Sequence, residues 1–250
     1  LGHGGDGVPA LKAVPPGLPD KLEYNPGGLA VVWAEQNTRD ALFTAMQRRE
    51  VYGTSGPRIV SRLFAGFDLE PALCAAPDMA AQGYARAVPM GSDLGPAPVG
   101  ATMTLLLAAQ QDAGAGAEPG LPLQKIQVVK GWLDADGERH ERVYDAVGDA
   151  EPRGTVDTAS CATGGSGHAR LCAVWSDPDF DPSQRAFYYS RVVENPSCRW
   201  SQRLCVAGGV DCSRPETIGE GFEGCCAAEH RPVVQERAWS SPVWYQPTTP

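Results

Sequence analysis

Between Pro57 and Pro196 the side chains change character at every second residue. Thr102, Thr104 and Leu106 alternate with Met103, Leu105 and Leu107, Ile126, Val128 and Lys130 with Gln127 and Val129, and Phe187, Tyr189 and Arg191 with Tyr188 and Ser190. A period of two belongs to a strand, whose successive side chains point to opposite faces. Five or more such runs with no helices between them predict an antiparallel β-sandwich over residues 57–196. Lys125 to Trp132 and Arg139 to Ala146 flank the turn residues Asp134 to Gly137, the pattern of a hairpin. The 29 glycines and 22 prolines are spread along the chain and favour many turns over long helices. One short helix is expected from Pro77 to Arg86, inside the connector that leads into the strands.

The region before the sandwich reads differently. Gly28 to Trp33 is a short apolar strand, Asn37 to Glu50 a helix, and Val51 to Thr54 a second strand closed by a Gly-Pro turn. Asn37 is the expected cap, Asp40 sits in the first turn, and Arg48 and Arg49 fall in the last, where the helix dipole favours cations. Leu42, Ala45, Met46 and Arg49 recur at helical spacing and predict one inward stripe.

The wording of several segments goes further than their periodicity. Gly27 to Ile59, Pro89 to Leu94 (PMGSDL), Ile126 to Trp132 (IQVVKGW), Trp175 to Pro182 (WSDPDFDP), Ala186 to Pro196 (AFYYSRVVENP) and Gln235 to Tyr245 (QERAWSSPVWY) occur in the order found in a bacterial family. On these residues the chain resembles domain of unknown function 3604. That resemblance implies kinship with the PHP metal-dependent phosphoesterases, a distorted α/β barrel gathering His, Asp and Glu around metal ions, followed by a β-rich region. The His-x-His and Ser-Asp-x-His motifs of such proteins normally precede a segment like Leu1 to Asp6 and are absent here. The resemblance therefore implies a C-terminal part: residues 1–56 as the end of the barrel, 57–196 as the sandwich with its connector, and 197–250 as a Cys-rich flap with an extended tail. A divalent metal is implied for the full-length protein, with its ligands mostly upstream of this chain.

Eight cysteines are many for a cytosolic protein of this size. Cys198, Cys205, Cys212, Cys225 and Cys226 crowd together near the C-terminus, Cys161 and Cys172 stand nearby, and no Cys-x-x-Cys pair suggests zinc. Disulfides are the expectation, and with them an oxidising compartment and export. Cys225 and Cys226 must take different partners, one cysteine of the cluster has to pair outside it, and Cys161 with Cys172 is the first candidate for a separate bridge. The net charge of −9 argues against nucleic-acid binding, and no run approaches the length needed to cross a bilayer. The small-molecule substrate and the oligomeric state are not written in the sequence.

Four sets of residues carry candidate chemistry. His3, in the glycine-rich loop that also holds Asp6, is a candidate metal contact. In TSGPR, directly after a strand, Arg58 is a candidate anion clamp with Thr54 and Gly56 as hydrogen-bond donors, and Ser55 a candidate nucleophile without a visible base; a tight turn is the competing explanation. Asp177, Asp179 and Asp181 alternate as in an oxygen-rich calcium loop, but Pro182 stands where an EF-hand needs Gly, and a stiff turn explains the run as well. His140, His168 and His230 are scattered and make no zinc site by spacing. The expected function is the C-terminal region of an exported, PHP-like metal-dependent hydrolase, inactive by itself. The alternative is a non-catalytic sandwich that binds a ligand or builds structure.

Overall fold

The computed structural model of the chain describes residues 27–115 and 119–247. Its strands are β1 (Leu29–Val32), β2 (Val51–Thr54), β3 (Val60–Phe67), β4 (Val88–Pro89), β5 (Asp93–Leu94), β6 (Met103–Gln110), β7 (Leu123–Leu133), β8 (Arg139–Gly148), β9 (Gly154–Val156), β10 (Thr163–Gly165), β11 (Arg170–Ser176), β12 (Ala186–Glu194), β13 (Ser197–Cys198), β14 (Val233–Val234), β15 (Arg237–Ser240) and β16 (Val243–Tyr245). Three α-helices join them: α1 (Arg39–Gln47), α2 (Met79–Arg86) and α3 (Trp200–Ala207).

Two sheets face each other, as the alternation predicts. The larger runs β1-β2-β15-β12, with β7 and then β8 on the other side of β12; the smaller runs β11-β6-β3-β4. Inward residues of both sheets form one core, in which Ile59, Leu63, Met103, Leu105 and Leu107 of the small sheet meet Tyr52, Ile126, Val128, Tyr188, Val192 and Tyr245 of the large one. The outer face of the small sheet is covered too: Phe64 and Leu106 pack under Leu69, Leu73 and Met79, from the short turn Pro71–Ala75 and the start of α2. That double burial explains why β6 is apolar nearly throughout, since neither of its faces meets water.

Several elements fall near their expected places. The β7–β8 hairpin pairs Leu133 with Arg139 around the Asp134–Gly137 turn, and Asp134 accepts the amides of Asp136 and Glu138. Asp134 thereby supplies the turn with local hydrogen bonds that its backbone would otherwise lack. The stretch expected as an extended tail is built into the large sheet: β15 and β16 lie end to end along one edge of β12, split at Ser241 and Pro242. Pro242 has no amide to give to a ladder, which suits it to the break.

The first helix is shorter than expected. Thr38, not Asn37, caps it, its hydroxyl accepting from the Ala41 amide, and the helix ends at Gln47. Arg48 is the C-cap and Arg49 lies beyond it at φ 59°, so neither fills the last turn. Ala45 is buried, whereas Met46 is 51% exposed and outside the expected stripe.

The barrel end implied by the resemblance does not appear among the described residues. In an α/β barrel the helix connects two parallel strands. Here α1 connects β1 to an antiparallel neighbour, Val32 facing Val51 and Leu29 facing Thr54. Strand β2 is bonded in turn to β15, and β15 to β12, so the strands of the first and last blocks lie in the same sheet as the sandwich.

All eight cysteines are paired, as Cys74–Cys172, Cys161–Cys198, Cys205–Cys225 and Cys212–Cys226. The expected bridge between Cys161 and Cys172 is therefore corrected. Cys172 lies in β11, whose outer face meets the Pro71–Ala75 turn, and that turn carries Cys74, which was not among the candidates. Cys161 is held near Cys198 by the β9–β10 hairpin and the β13–β14 pair. The adjacent Cys225 and Cys226 do take different partners, and Cys198 is the member of the cluster that pairs outside it.

Candidate functional site

Strand β2 crosses to the small sheet through Thr54–Arg58, the turn singled out in the sequence. Its groups are largely occupied within the fold. The Thr54 hydroxyl accepts the Gly56 amide at 3.2 Å, and the Ser55 hydroxyl accepts the Arg237 amide at 2.8 Å. Arg58 directs its guanidinium at Asp112, 3.2 Å away, and donates to the Gly114 carbonyl at 2.6 Å, while its amide donates to Asp112 at 2.7 Å. Burial pushes the Asp112 carboxyl up, but these donors together outweigh it and hold the group below the usual range. Thr54, Ser55, Gly56 and Arg58 thus join the sheets to each other and to the loop after β6.

The acids beside this turn stand in another condition. In β12 the inward series Tyr188, Ser190, Val192 continues to Glu194, so the alternation that builds the core ends by aiming a carboxylate between the sheets. Glu194 is 2% exposed. Its amide donates to the Glu236 carbonyl at 2.9 Å, so Glu236, just before β15, lies beside it. A ladder irregularity at Val193/Glu194 leaves Gln124 of β7 unmatched, and Gln235 bridges the gap by donating to the Gln124 side chain and to the Glu194 carbonyl. The backbone around the acids is therefore fixed by polar bonds, and Ser55 reaches the Glu236 side chain, but one oxygen of each acid is left over. Glu194 Oε1 and Glu236 Oε2 are buried with no hydrogen-bond partner.

Burial raises the Glu194 carboxyl to about 8, helped by the negative charges of Glu236 and Asp112. Burial also raises Glu236, against a hydrogen bond from Ser55 and the nearby charges of Arg199 and Arg237. At neutral pH Glu194 therefore keeps its proton. Five of the seven buried side-chain atoms without a partner among the described residues belong to Glu194, Asn195, Trp200, Ser201 and Glu236. Buried polar groups are nearly always satisfied, so this concentration in residues 194–201 and at Glu236 sets the segment apart from the rest of the core.

The chain before Gly27 joins the described residues at this same end. Leu29 faces Thr54, and the Gly27 carbonyl lies 3.7 Å from the point where a side chain on Gly56 would begin. His3 lies outside the described residues.

The three aspartates of the DPDFDP loop do not converge on a common point. Asp177 takes Lys130 Nζ at 2.6 Å and the Tyr188 hydroxyl at 2.7 Å; Asp179 takes Arg142 and Tyr144; Asp181 accepts from the Ser183 amide and hydroxyl. Each carboxylate has protein partners of its own, and among the described residues no three His, Cys, Asp or Glu side chains form a group that could hold a metal ion. The histidines are also engaged, His140 with Asp134, His168 with Asp149 and His230 with Gln202. Glu194 and Glu236 lie inside two of the segments that carry the family resemblance, AFYYSRVVENP and QERAWSSPVWY, but no spacing of ligand type singles them or Asp112 out, and Glu194 stands out only as an acid closing the inward series Tyr188, Ser190, Val192.

A model of the family described as protein of unknown function (DUF3604) matches residues 17–247. No curated protein and no solved structure matches the chain.

Proposed function

The chain belongs to the DUF3604 family, and we propose that it is the C-terminal β-sandwich region of an exported, PHP-like metal-dependent hydrolase. In this reading its Glu194 and Glu236 reach a reaction centre whose other ligands come from upstream. The observation that carries it is the pair of buried, unpartnered carboxylate oxygens at the end where the upstream chain enters. A protein that buries two acids side by side and leaves one oxygen of each without a partner gives up stability there, and such places are disproportionately functional sites.

The donor set fits a hard divalent cation in kind but not in number. Two carboxylate oxygens are the ligand type that Mg²⁺, Mn²⁺ or Ca²⁺ takes, and such ions need about six. Asp112 is committed to Arg58, so the remaining ligands would come from the upstream motifs or from water. A bound divalent ion would supply an activated water or a Lewis acid for attack on a phosphoester. Glu194 holds one proton at its carboxyl near neutral pH and can release it when a cation takes its place. Glu236 stays beside it, oriented by Ser55. Arg58 does not clamp substrate in this arrangement; it keeps Asp112 and the crossing turn in position. The four disulfides suit an oxidising, non-cytoplasmic environment, and among the described residues no helix is long and apolar enough to cross a membrane.

The test uses the protein with its native upstream sequence, stripped with chelator and reloaded with Mn²⁺ or Mg²⁺, assayed on phosphomonoesters and phosphodiesters. Metal-dependent hydrolysis is expected, and Glu194→Gln or Glu236→Gln should lower both bound metal and turnover. Absence of hydrolysis with any divalent ion, or full metal content and turnover in both variants, sinks the proposal.

A further inference from the structure

The outer face of the large sheet carries a second place with chemistry of its own, far along β12 from Glu194. At the other end of that strand Phe187 faces Gly131 of β7 on one side and Trp244 of β16 on the other. The Phe187 and Trp244 ring centres are 5.3 Å apart. Gly131 is what allows this: a side chain there would begin 2.3 Å from the Phe187 ring, so the ring lies across bare backbone. One step along, Leu133 faces Arg139 of β8, and its amide donates to the carbonyl of Arg185, which places one arginine on each side of it. These residues line a cleft of about 370 Å³, closed at its rim by Trp132 stacked on His140.

Two features separate this cleft from ordinary surface. Trp244 and Leu133 are 38% and 41% exposed, side by side with Phe187, so its lining is a continuous apolar surface open to water. Arg139 and Arg185 have no ion-pair or side-chain hydrogen-bond partner among the described residues, in a protein of net charge −9 where acids outnumber bases. Glu141, on that face, pairs across from Gly131 on the side away from Trp244. Asp134 is engaged by His140 and by its own turn. An apolar floor with aromatic walls and two free guanidinium groups at one end is complementary to a molecule with a flat ring and an anionic substituent. Guanidinium groups bind carboxylate, sulfonate and phosphonate oxygens in forked geometry, and aromatic walls take the ring.

We propose that this cleft binds small anions that carry an aromatic ring, with Phe187, Trp244 and Leu133 holding the ring and Arg139 and Arg185 the anion. The site stands apart from the Glu194–Glu236 pair and does not depend on hydrolysis.

Calorimetric titration with phenylphosphonate, benzenesulfonate and benzoate tests it, since none of them is a hydrolysable ester. Benzyl alcohol and inorganic phosphate separate the contribution of ring from that of charge. At least one aromatic anion is expected to bind in the micromolar to millimolar range, with benzyl alcohol and phosphate each much weaker. The double variant Arg139→Glu/Arg185→Glu should weaken binding by about tenfold or more, as loss of a charge-assisted contact requires. Both side chains are exposed, so the fold should tolerate it, and Trp244→Ala should weaken binding independently. Glu194→Gln should leave it unchanged, which separates failure here from failure of the hydrolase reading. No heat with any aromatic anion, or affinity unaltered in the double arginine variant, overturns the proposal.

Discussion

Strand β12 has a buried acid at each end, and the two are treated in opposite ways. Near its start Asp177, 4% exposed, lies against Tyr188 and is met by Lys130 at 2.6 Å. Lys130 is itself 3% exposed and spends a second donor on the Asp179 carbonyl at 2.7 Å. At the far end Glu194, 2% exposed, has another acid beside it and no partner for Oε1. The first arrangement is complete: every charge has its counter-charge, and the loop that carries it is pinned to the sheet. The second is open, and what stabilises the first is what the second lacks. Carboxylates buried in one fold can therefore be structural at one end of a strand and candidates for chemistry at the other, and partner atoms, not burial, tell them apart.

The widest break in this comparison should come from removing the counter-charge at the complete end. Lys130→Met leaves Asp177 buried and unpaired, and uncompensated charges of this kind typically cost about 3–5 kcal/mol. Urea denaturation of variant and parent should show that loss at pH 7. A change of less than about 1 kcal/mol would mean that Asp177 is already satisfied without the lysine.

The opposite sign is expected at the open end. Glu194 titrates at about 8 in the fold against 4.5 for an ordinary glutamate. The folded state thus holds a proton that the unfolded state has lost across that interval, so stability is full below pH 4.5 and drains away as pH rises through 8. Glu194→Gln removes the ionisation and should raise stability at pH 9 by up to about 5 kcal/mol, the size implied by the shift, with little change at pH 4. Melting temperatures across that range, on the chain without added metal, decide it; parallel curves for the two proteins would show that Glu194 is not the group responsible.

How much of this could be read from the sequence follows the same division. The sandwich was legible because inward and outward residues alternate, as Tyr188, Ser190 and Val192 do, and because Asp134–Gly137 has turn chemistry of its own. The antiparallel setting of β1 and β2 was not, since a strand, a helix and a strand in order say nothing about which way the second strand runs. Nothing in the spacing points to Cys74, whose partner is 98 residues away, while sequence proximity favours Cys161 for Cys172. TSGPR drew attention by its wording, yet the orphaned oxygens beside it belong to Glu194 and Glu236, whose significance lies in the partners they lack. A missing hydrogen bond is a property of three-dimensional surroundings and leaves no mark on a string of residues.

A smaller effect tests whether the complete end is stabilised by charge alone. The Tyr188 hydroxyl donates to the same Asp177 oxygen as Lys130, and burial together with the Asp177 charge pushes the phenol far above its ordinary range. Tyr188→Phe deletes that donor while keeping the ring in the core, and should cost about 1.5–3 kcal/mol, the range for a hydrogen bond to a charged group. In the Lys130→Met background the same substitution should cost more, because Asp177 would then have lost both side-chain donors. A double-mutant cycle measures the difference. Strict additivity would mean that Lys130 and Tyr188 serve the aspartate independently. The contrast with Glu194 would then be the sum of two separate contacts and not one coupled network.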